Sequence, residues 1–197
     1  MARSPSSSRF ASDERGLDDS AAQFRLAACP HCRQTGFLLG HGFLRGYAER
    51  SSEAVVRGRR LFCSNRANKT GCGRTFSVKL ATVLAGFVVR TLTLWQFASS
   101  ALSGQTRRAA WISAAGGALS LSSGYRLWRR LREAQTTVRS RLWRQSPPPA
   151  CDASEPLAQL LAHLQSLLAV SLNPSLATGH DPFAGYQQHL QRHLLTP

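Results

Sequence analysis

The spacing of apolar positions changes partway along the chain, and the change separates two kinds of predicted structure. In residues 36–47, 54–62 and 74–78, short apolar runs are interrupted by glycine or basic residues, a pattern that predicts short strands and tight turns. From Leu84 to Leu102, apolar residues recur at spacings of three, four and seven, which predicts an amphipathic helix. The sequence therefore predicts a small α+β protein in which short antiparallel strands precede helices.

Two more helices are predicted after this one. A short helix begins near Gln105 and ends at Gly116–Gly117, because glycine supplies the backbone freedom that a sharp turn needs. A long helix follows, with Ser120 or Ser122 as its N-cap. At about 100° per residue, its apolar positions fall in one narrow stripe. That stripe consists of Leu127, Leu131, Ala134, Val138 and Leu142.

The chain ends in a predicted proline-rich linker and helical tail, residues 147–197. An uncharged helix after the prolines carries a leucine face, which consists of Leu157, Leu160, Leu161, Leu164, Leu167 and Leu168. Such a face needs a partner: the chain's own domain, which is the commoner outcome, a second copy in a homodimer, or another protein. After a loop over 173–182, residues Phe183 to Leu195 predict a short terminal helix.

Composition places the remaining boundaries. Residues 1–22 are rich in serine and mixed charges, so we expect them to be disordered. The strand-rich domain then covers 23–79, and the three-helix domain covers 80–146. We expect no membrane span, because Arg90 interrupts the apolar segment and leaves uncharged runs shorter than about 18 residues. The start of the chain lacks the apolar centre of a secretory signal, which predicts a reducing, cytoplasmic compartment.

Cysteine spacing points to one metal site in the strand-rich domain. Cys29 and Cys32 are separated by two residues, so a tight turn can bring both sulfurs to one ion. Cys63 and Cys72 are the candidates for the other two ligands, although eight residues separate them. The fifth cysteine, Cys151, follows the proline run far along the chain. The number and spacing of the cysteines therefore predict a single site with four cysteine ligands, and Cys151 is not one of them.

Zinc is the predicted metal. In a reducing compartment this spacing favours a metal over the alternatives, which are disulfides or plain thiols. A single zinc ion would be structural, because four thiolates leave no open coordination position. His31 and His41 are alternative ligands beside the four cysteines. The metal would replace the core that so short a segment cannot build, so metal binding and folding would be one equilibrium.

Charge points to a polyanionic partner. The 197 residues carry a net charge of +15 with a sequence pI near 11.4, and arginine supplies nearly all of the positive charge. Basic minus acidic residues give +8 over 1–80, +9 over 81–145 and −2 over 146–197. Nucleic acid is the commonest partner of such a field, and the middle block is where it should bind.

The long helix carries most of the charge in that block. Its arginines lie off the apolar stripe, and Glu133 is the one carboxylate between residues 81 and 145. The simplest interpretation is that these arginines form a solvent-exposed face that binds no partner. However, a helix, a glycine turn and a second helix form the arrangement of a helix-turn-helix, whose second helix enters the major groove of DNA.

We therefore predict two sets of contacts with double-stranded DNA. The set on the long helix would meet base edges with its first turns and consists of Ser122, Ser123, Tyr125, Arg126, Arg129, Arg130 and Arg132. The set that opens the preceding helix would contact the phosphate backbone and consists of Gln105, Arg107 and Arg108.

Short motifs add a family resemblance. The chain contains Cys-Pro-x-Cys, then Arg-Arg-Leu-Phe-Cys, then Cys-Gly-Arg-Thr-Phe-Ser, followed by the predicted helix-turn-helix. Over about residues 29–132 this series resembles the zinc ribbon plus helix-turn-helix module of bacterial insertion-sequence proteins. The resemblance implies a transposase-associated protein that recognises the ends of a mobile element, with a recombinase or transposase as partner and the bacterial nucleoid as location.

The predicted function is sequence-specific DNA binding without catalysis, which positions a recombinase or regulates transcription. A DNA-cleaving transposase or nuclease is one alternative, but two-magnesium strand transfer needs clustered carboxylates, and the ten acidic residues are scattered along the chain. An RNA-associated or ribosome-associated zinc protein is the other alternative, since basic helices and ribbons also suit RNA.

Overall fold

The structure is a computed structural model, and it divides the chain into two compact units. It describes residues 9–17, 24, 26–66, 68–171 and 181–195, with the backbone alone for 168–171. One unit comprises Met1–Ala48 and Ser52–Ala81, and the other comprises Glu49–Ser51 and Thr82–Pro197. The first contains a four-stranded sheet and the second contains helices, so the prediction of a small α+β protein is confirmed.

The sheet of the first unit is mostly antiparallel. Its strands lie in the order β1-β4-β3-β2, with β2, β3 and β4 antiparallel and β1 parallel to β4. The bounds are Phe10–Ala11 for β1, Leu38–Tyr47 for β2, Ala54–Cys63 for β3 and Thr75–Leu80 for β4. The strands predicted over 54–62 and 74–78 are therefore present; the first ends one residue later than predicted, and the second begins one residue later and ends two residues later.

The disorder predicted for residues 1–22 is wrong where the structure describes them. Phe10 and Ala11 pair with Lys79 and Leu80 of β4, and Phe10 is only 3% exposed. Leu17 is fully buried. Local composition is polar here, yet the apolar side chains of Phe10, Ala11 and Leu17 are all buried. The remainder of the predicted disordered segment lies outside the described residues.

Strand β2 is one long strand instead of short runs joined by tight turns. It pairs with β3 from Leu38 to Tyr47, and two register shifts absorb its irregular glycines. Two of those glycines make room for arginine side chains of β3. A Cβ at Gly40 would lie 2.8 Å from the Arg59 guanidinium, and one at Gly46 would lie 2.6 Å from the Arg57 side chain.

The described part of the second unit contains five helices. Their bounds are Thr91–Leu102 for α1, Arg107–Ala115 for α2, Leu121–Trp143 for α3, Pro156–Ser171 for α4 and Pro182–Leu190 for α5. The first of them starts later than predicted, because Leu84 and its neighbours lie in turns. Gly86 has a φ of 79° and a bridge joins Val83 to Arg90, so the backbone before Thr91 is not helical. No helix in the described part of the chain has the length and apolar character to span a membrane.

One hydrophobic core joins the helices of this unit. The predicted stripe of α3 is buried, and Trp111 of α2 is only 1% exposed within the same core. The leucine face of α4 is buried there too, with Leu157, Leu160 and Leu164 fully inaccessible. The described leucines therefore pack within their own unit, the commoner of the predicted outcomes, and the homodimer stays a prediction. The Leu168 side chain lies outside the described part.

Candidate functional site

The four predicted metal ligands meet at one end of the sheet. Cys29 and Cys32 lie in a turn before β2, Cys63 ends β3, and Cys72 lies in the loop before β4. The pairing of Leu38 with Cys63 brings that turn next to the end of β3. All four sulfurs lie within 4.8 Å of one another, so the cluster could hold one metal ion.

The distances between the sulfurs fit a tetrahedral site. Cys29 Sγ lies 3.8 Å from Cys72 Sγ, and Cys32 Sγ lies 3.7 Å from Cys63 Sγ. A disulfide would need about 2.05 Å, so the thiols are unpaired. In a tetrahedron the edge is about 1.63 times the centre-to-corner distance, so a metal–sulfur bond of about 2.3 Å requires sulfurs about 3.8 Å apart. The arrangement fits a four-thiolate ion without rearrangement of these two pairs.

Backbone amides support the sulfurs from outside. The N–H of His31 donates to Cys29 Sγ and the N–H of Cys72 donates to Cys63 Sγ, both at 3.4 Å. The turn itself is closed by the N–H of Arg33, which donates to the Cys29 carbonyl at 2.8 Å. Such second-layer bonds orient ligands and favour the thiolate form. Neither His31 nor His41 belongs to the described cluster, and the His41 ring instead lies 5.9 Å from the ring of Phe62.

Two of the thiols have strongly shifted pKa values. The backbone N–H of Gln34 lowers the pKa of Cys32 to about 7. Burial raises the pKa of Cys63 to about 12, and its amide hydrogen bond from Cys72 only partly opposes this. An incoming metal must therefore displace a proton from Cys63, whereas Cys32 is readily available as a thiolate near neutral pH.

The sequence interpretation missed Gly71, which the site needs for steric reasons. A Cβ at this position would lie 2.2 Å from the Ser64 carbonyl oxygen and 2.8 Å from Cys63 Sγ. The N–H of Gly71 donates to that carbonyl at 3.0 Å, which closes the loop from Ser64 onto the ligand. The available signal was glycine on both sides of Cys72, since glycine permits a close backbone approach.

In the helical unit, the junction of α2 with α3 positions the predicted DNA contacts. Thr106 caps α2 through its hydroxyl, which accepts from the N–H of Ala109, and Gly116 ends the helix with a φ of 61°. Trp111 Nε1 donates to the Ser120 carbonyl at 3.0 Å. Gly124 faces the same ring, where a Cβ would lie 2.6 Å from the indole. The N-terminal turn of α3 is therefore fixed against α2.

Five of the ten predicted DNA contacts surround one open cleft, named here the α2–α3 cleft. Its volume is ≈ 620 Å³, and its lining includes Gln105, Arg107, Arg108, Tyr125 and Arg132. The Arg107 guanidinium lies over the Tyr125 ring, 5.8 Å from its centroid. Tyr125 is 48% exposed and Arg107 is exposed too, so this cation–aromatic pair lies at the surface.

The other five predicted contacts lie elsewhere on α3 and do not line this cleft in the described structure. Ser122, Arg126, Arg129 and Arg130 are exposed, and Ser123 is half-buried. The predicted N-cap Ser120 starts the helix without a side-chain capping bond. Its hydroxyl instead lies 2.9 Å from that of Ser122 and 3.0 Å from that of Ser123. The helix start thus presents a group of hydroxyls next to arginine side chains.

Comparison of the chain with models of known protein families, with curated proteins and with solved structures gives no match.

Proposed function

We propose that this protein binds double-stranded DNA in a sequence-specific manner, without catalysis, and that one structural zinc ion holds its strand-rich unit together. The observation that carries the proposal is the α2–α3 cleft, where three arginines, a glutamine and an exposed tyrosine converge beside the arginine-rich start of α3. Residues 81–145 contain ten basic residues against one acidic residue, and Glu155, just before α4, adds one carboxylate to the described lining of the cleft. Such a surface suits phosphate oxygens and base edges.

Zinc is the metal that best suits the cysteine cluster. A four-thiolate set favours soft or borderline ions, and tetrahedral geometry with sulfurs about 3.8 Å apart matches zinc–sulfur bonds of about 2.3 Å. Iron bound by four thiolates would have similar geometry, so metal analysis of the purified protein distinguishes the two. When bound, zinc would cross-link the Cys29–Cys32 turn to the end of β3 and to the loop that leads into β4.

The two groups of predicted contacts suit different parts of a duplex. Arg107 and Arg108 open α2, where helix N-terminal amides add positive potential, and these residues would bind phosphates. Arg126 and Arg130 lie in the first turns of α3, where a helix in the major groove meets base edges. The guanidinium fork suits the paired acceptors of guanine. We place both groups on one duplex, in the manner of a helix-turn-helix.

The biological role follows from the motif resemblance. We propose that the protein acts with a mobile genetic element in the bacterial nucleoid, where it positions a recombinase or transposase or regulates transcription. Catalysis is left to a partner, because metal-dependent strand transfer needs clustered carboxylates. The described residues that could form a metal cluster are the four cysteines.

A selection experiment tests sequence-specific binding. The zinc-loaded full chain is used to select duplexes from a random pool, and the selected and scrambled duplexes are compared by fluorescence anisotropy. We expect a preference for the selected duplex of at least tenfold that is lost in Arg126→Ala with Arg130→Ala, since a specific base contact is worth about 1–3 kcal/mol. The control, Arg45→Ala with Arg60→Ala, removes equal charge from exposed positions in the other unit and should keep the preference.

Two results would contradict the proposal. One is equal wild-type affinity for selected and scrambled duplexes, which would leave only a cationic protein. The other is tighter binding of structured RNA than of any duplex under the same salt conditions, which would favour the RNA alternative.

A further inference from the structure

A second group of arginines lines a separate opening in the helical unit, named here the arginine cleft. Its volume is ≈ 400 Å³, and its described lining consists of Arg141, Arg144, Gln145, Leu190 and Arg192. Two of the arginines come from the C-terminal end of α3, and the third follows α5. No carboxylate is found among these lining residues, so three positive charges share one opening.

Buried hydrogen bonds fix the backbone on both sides of the third arginine, Arg192. The chain leaves α5 through Gln191, which has a φ of 52°, and Arg192 follows directly. On the buried side, the Gln187 side chain donates to the Val83 carbonyl at 3.0 Å and accepts from the N–H of Leu194 at 3.1 Å. Leu194 is itself fully buried. The segment that carries Arg192 is therefore anchored on both sides of that residue.

Among the described residues, no ion pair with a carboxylate neutralises this charge. Arg141 Nη1 lies 3.5 Å from the hydroxyl of Tyr186, a side chain that is fully buried. Burial raises the pKa of Tyr186 above its ordinary value, so the phenol stays neutral at physiological pH. The C-terminal dipole of α3 contributes about half a negative charge, which is much less than three guanidinium groups carry. An anion in the cleft would relieve the remaining repulsion.

The arginine cleft is distinct from the α2–α3 cleft. At about 100° per residue, Arg141 and Arg144 lie about 180° and 120° around α3 from Arg132. In contrast, both lie within about 60° of Arg126. One stripe of α3 thus leads from Arg126 to the arginine cleft, over about 27 Å at 1.5 Å per residue. Glu133 lies on the same stripe, about 20° from Arg126, so phosphates would meet cations mainly at its two ends.

We propose that Arg141, Arg144 and Arg192 form a binding site for a phosphate group. Guanidinium forks bind phosphate oxygens in pairs, and three of them around one opening can satisfy one phosphate from different directions. The phosphate comes from one of two sources. It is a phosphodiester of the nucleic acid bound by α3, a source that rests on the proposed function, or it is a free inorganic phosphate.

The first test uses inorganic phosphate and does not depend on nucleic acid. The ¹⁵N-labelled, zinc-loaded full chain is titrated with sodium phosphate at constant ionic strength and chloride balance, and arginine side-chain N–H signals are followed. We expect saturable shifts of the Arg144 and Arg192 signals, and their loss in Arg192→Ala. Arg90→Ala, which removes an exposed arginine of the same unit from outside the cleft, should leave the shifts intact. Shifts that are absent, or equal for all exposed arginines, would overturn the proposal.

The second test identifies the source. Duplex affinity of wild type, Arg192→Ala and Arg90→Ala is measured from 50 to 200 mM salt. A phosphodiester source predicts that Arg192→Ala weakens all duplexes alike by severalfold and lowers the salt slope by about 1, with no change in sequence preference. Saturable phosphate shifts with unchanged duplex binding, or with no duplex binding by the wild type, would assign the site to free phosphate. In the latter case the proposed DNA-binding function fails while the phosphate site stands.

Discussion

Substitution of Gly71 by alanine tests the metal site through a single methyl group. The new Cβ would lie 2.2 Å from the Ser64 carbonyl oxygen and 2.8 Å from Cys63 Sγ, and both neighbours are constrained. The carbonyl already accepts the N–H of Gly71, and Cys63 ends β3 in the sheet. Ordinary contacts need about 3.4 Å or more, so the loop must move by about 1 Å.

That movement is large compared with what a metal site tolerates. Ligand distances in zinc sites stay within about 0.2 Å of their ideal values, so a shift of about 1 Å at Cys63 or Cys72 must lengthen or break a bond. Disturbing the residues that orient ligands typically costs 10–100-fold in metal affinity. We expect a loss at or above the upper end of this range, because the clash involves a ligand atom itself.

Competition with a chromophoric chelator measures the zinc affinity, and the cobalt-substituted protein reports the geometry through its visible absorption. Gly42→Ala is the matched control. Gly42 has a φ of 87° with open space around its Cβ position, so alanine there costs backbone strain of about 1–2 kcal/mol without touching the sulfurs. Wild-type zinc affinity and an unchanged tetrahedral cobalt spectrum in Gly71→Ala would refute the close approach described above.

Three further predictions address pH and packing. Because burial raises the pKa of Cys63 to about 12, its proton competes with the metal at all lower pH values, so apparent zinc affinity should fall at least tenfold from pH 7.5 to 6.5 in chelator competition. Gly124→Ala should destabilise the helical unit by about 1–3 kcal/mol in urea unfolding, because its Cβ would meet the Trp111 ring; the exposed Ser122→Ala should not. Asp181 caps α5, and burial raises its pKa despite its bond from Thr91. Its ionisation on raising the pH through the folded-state pKa therefore costs stability, and Asp181→Asn should gain relative to wild type over that pH interval, as followed by urea unfolding.

The sequence predicted the cysteine cluster because ligand spacing is local chemistry. Two residues between Cys29 and Cys32 suffice to predict a shared ion, and the two remaining cysteines of that half complete the set by counting. The role of Gly71 could not be predicted in the same way. Position 71 must lack a side chain because the loop from Ser64 folds back onto β3, and no local sequence pattern encodes that contact.

The late start of α1 shows a second limit of local reasoning. Apolar spacing extends the predicted helix back to Leu84, but the capping group of the actual N-terminus comes from far upstream. Glu49 accepts from the N–H of Arg90 and from the Thr93 hydroxyl, both at 2.9 Å. Arg90 provides no side-chain cap of its own. A helix end fixed by a residue 41 positions away leaves no signature in the flanking sequence.

Contacts separate the arginines of the helical unit into two groups with different uses. Arg50 donates to the Ala114 carbonyl at 3.2 Å and Arg139 donates to the Gln159 side chain at 2.9 Å, so these two join parts of the fold. In the described part of the chain, Arg129 and Arg130 form ion pairs with the exposed Glu133, at 3.6 and 4.0 Å.

Exposed pairs of that kind contribute well under about 1 kcal/mol, and one carboxylate shared by two arginines cannot balance both charges. The mutual repulsion of these charges, and of those in the two clefts, opposes compaction. The anionic partner proposed above would relieve that repulsion around α3.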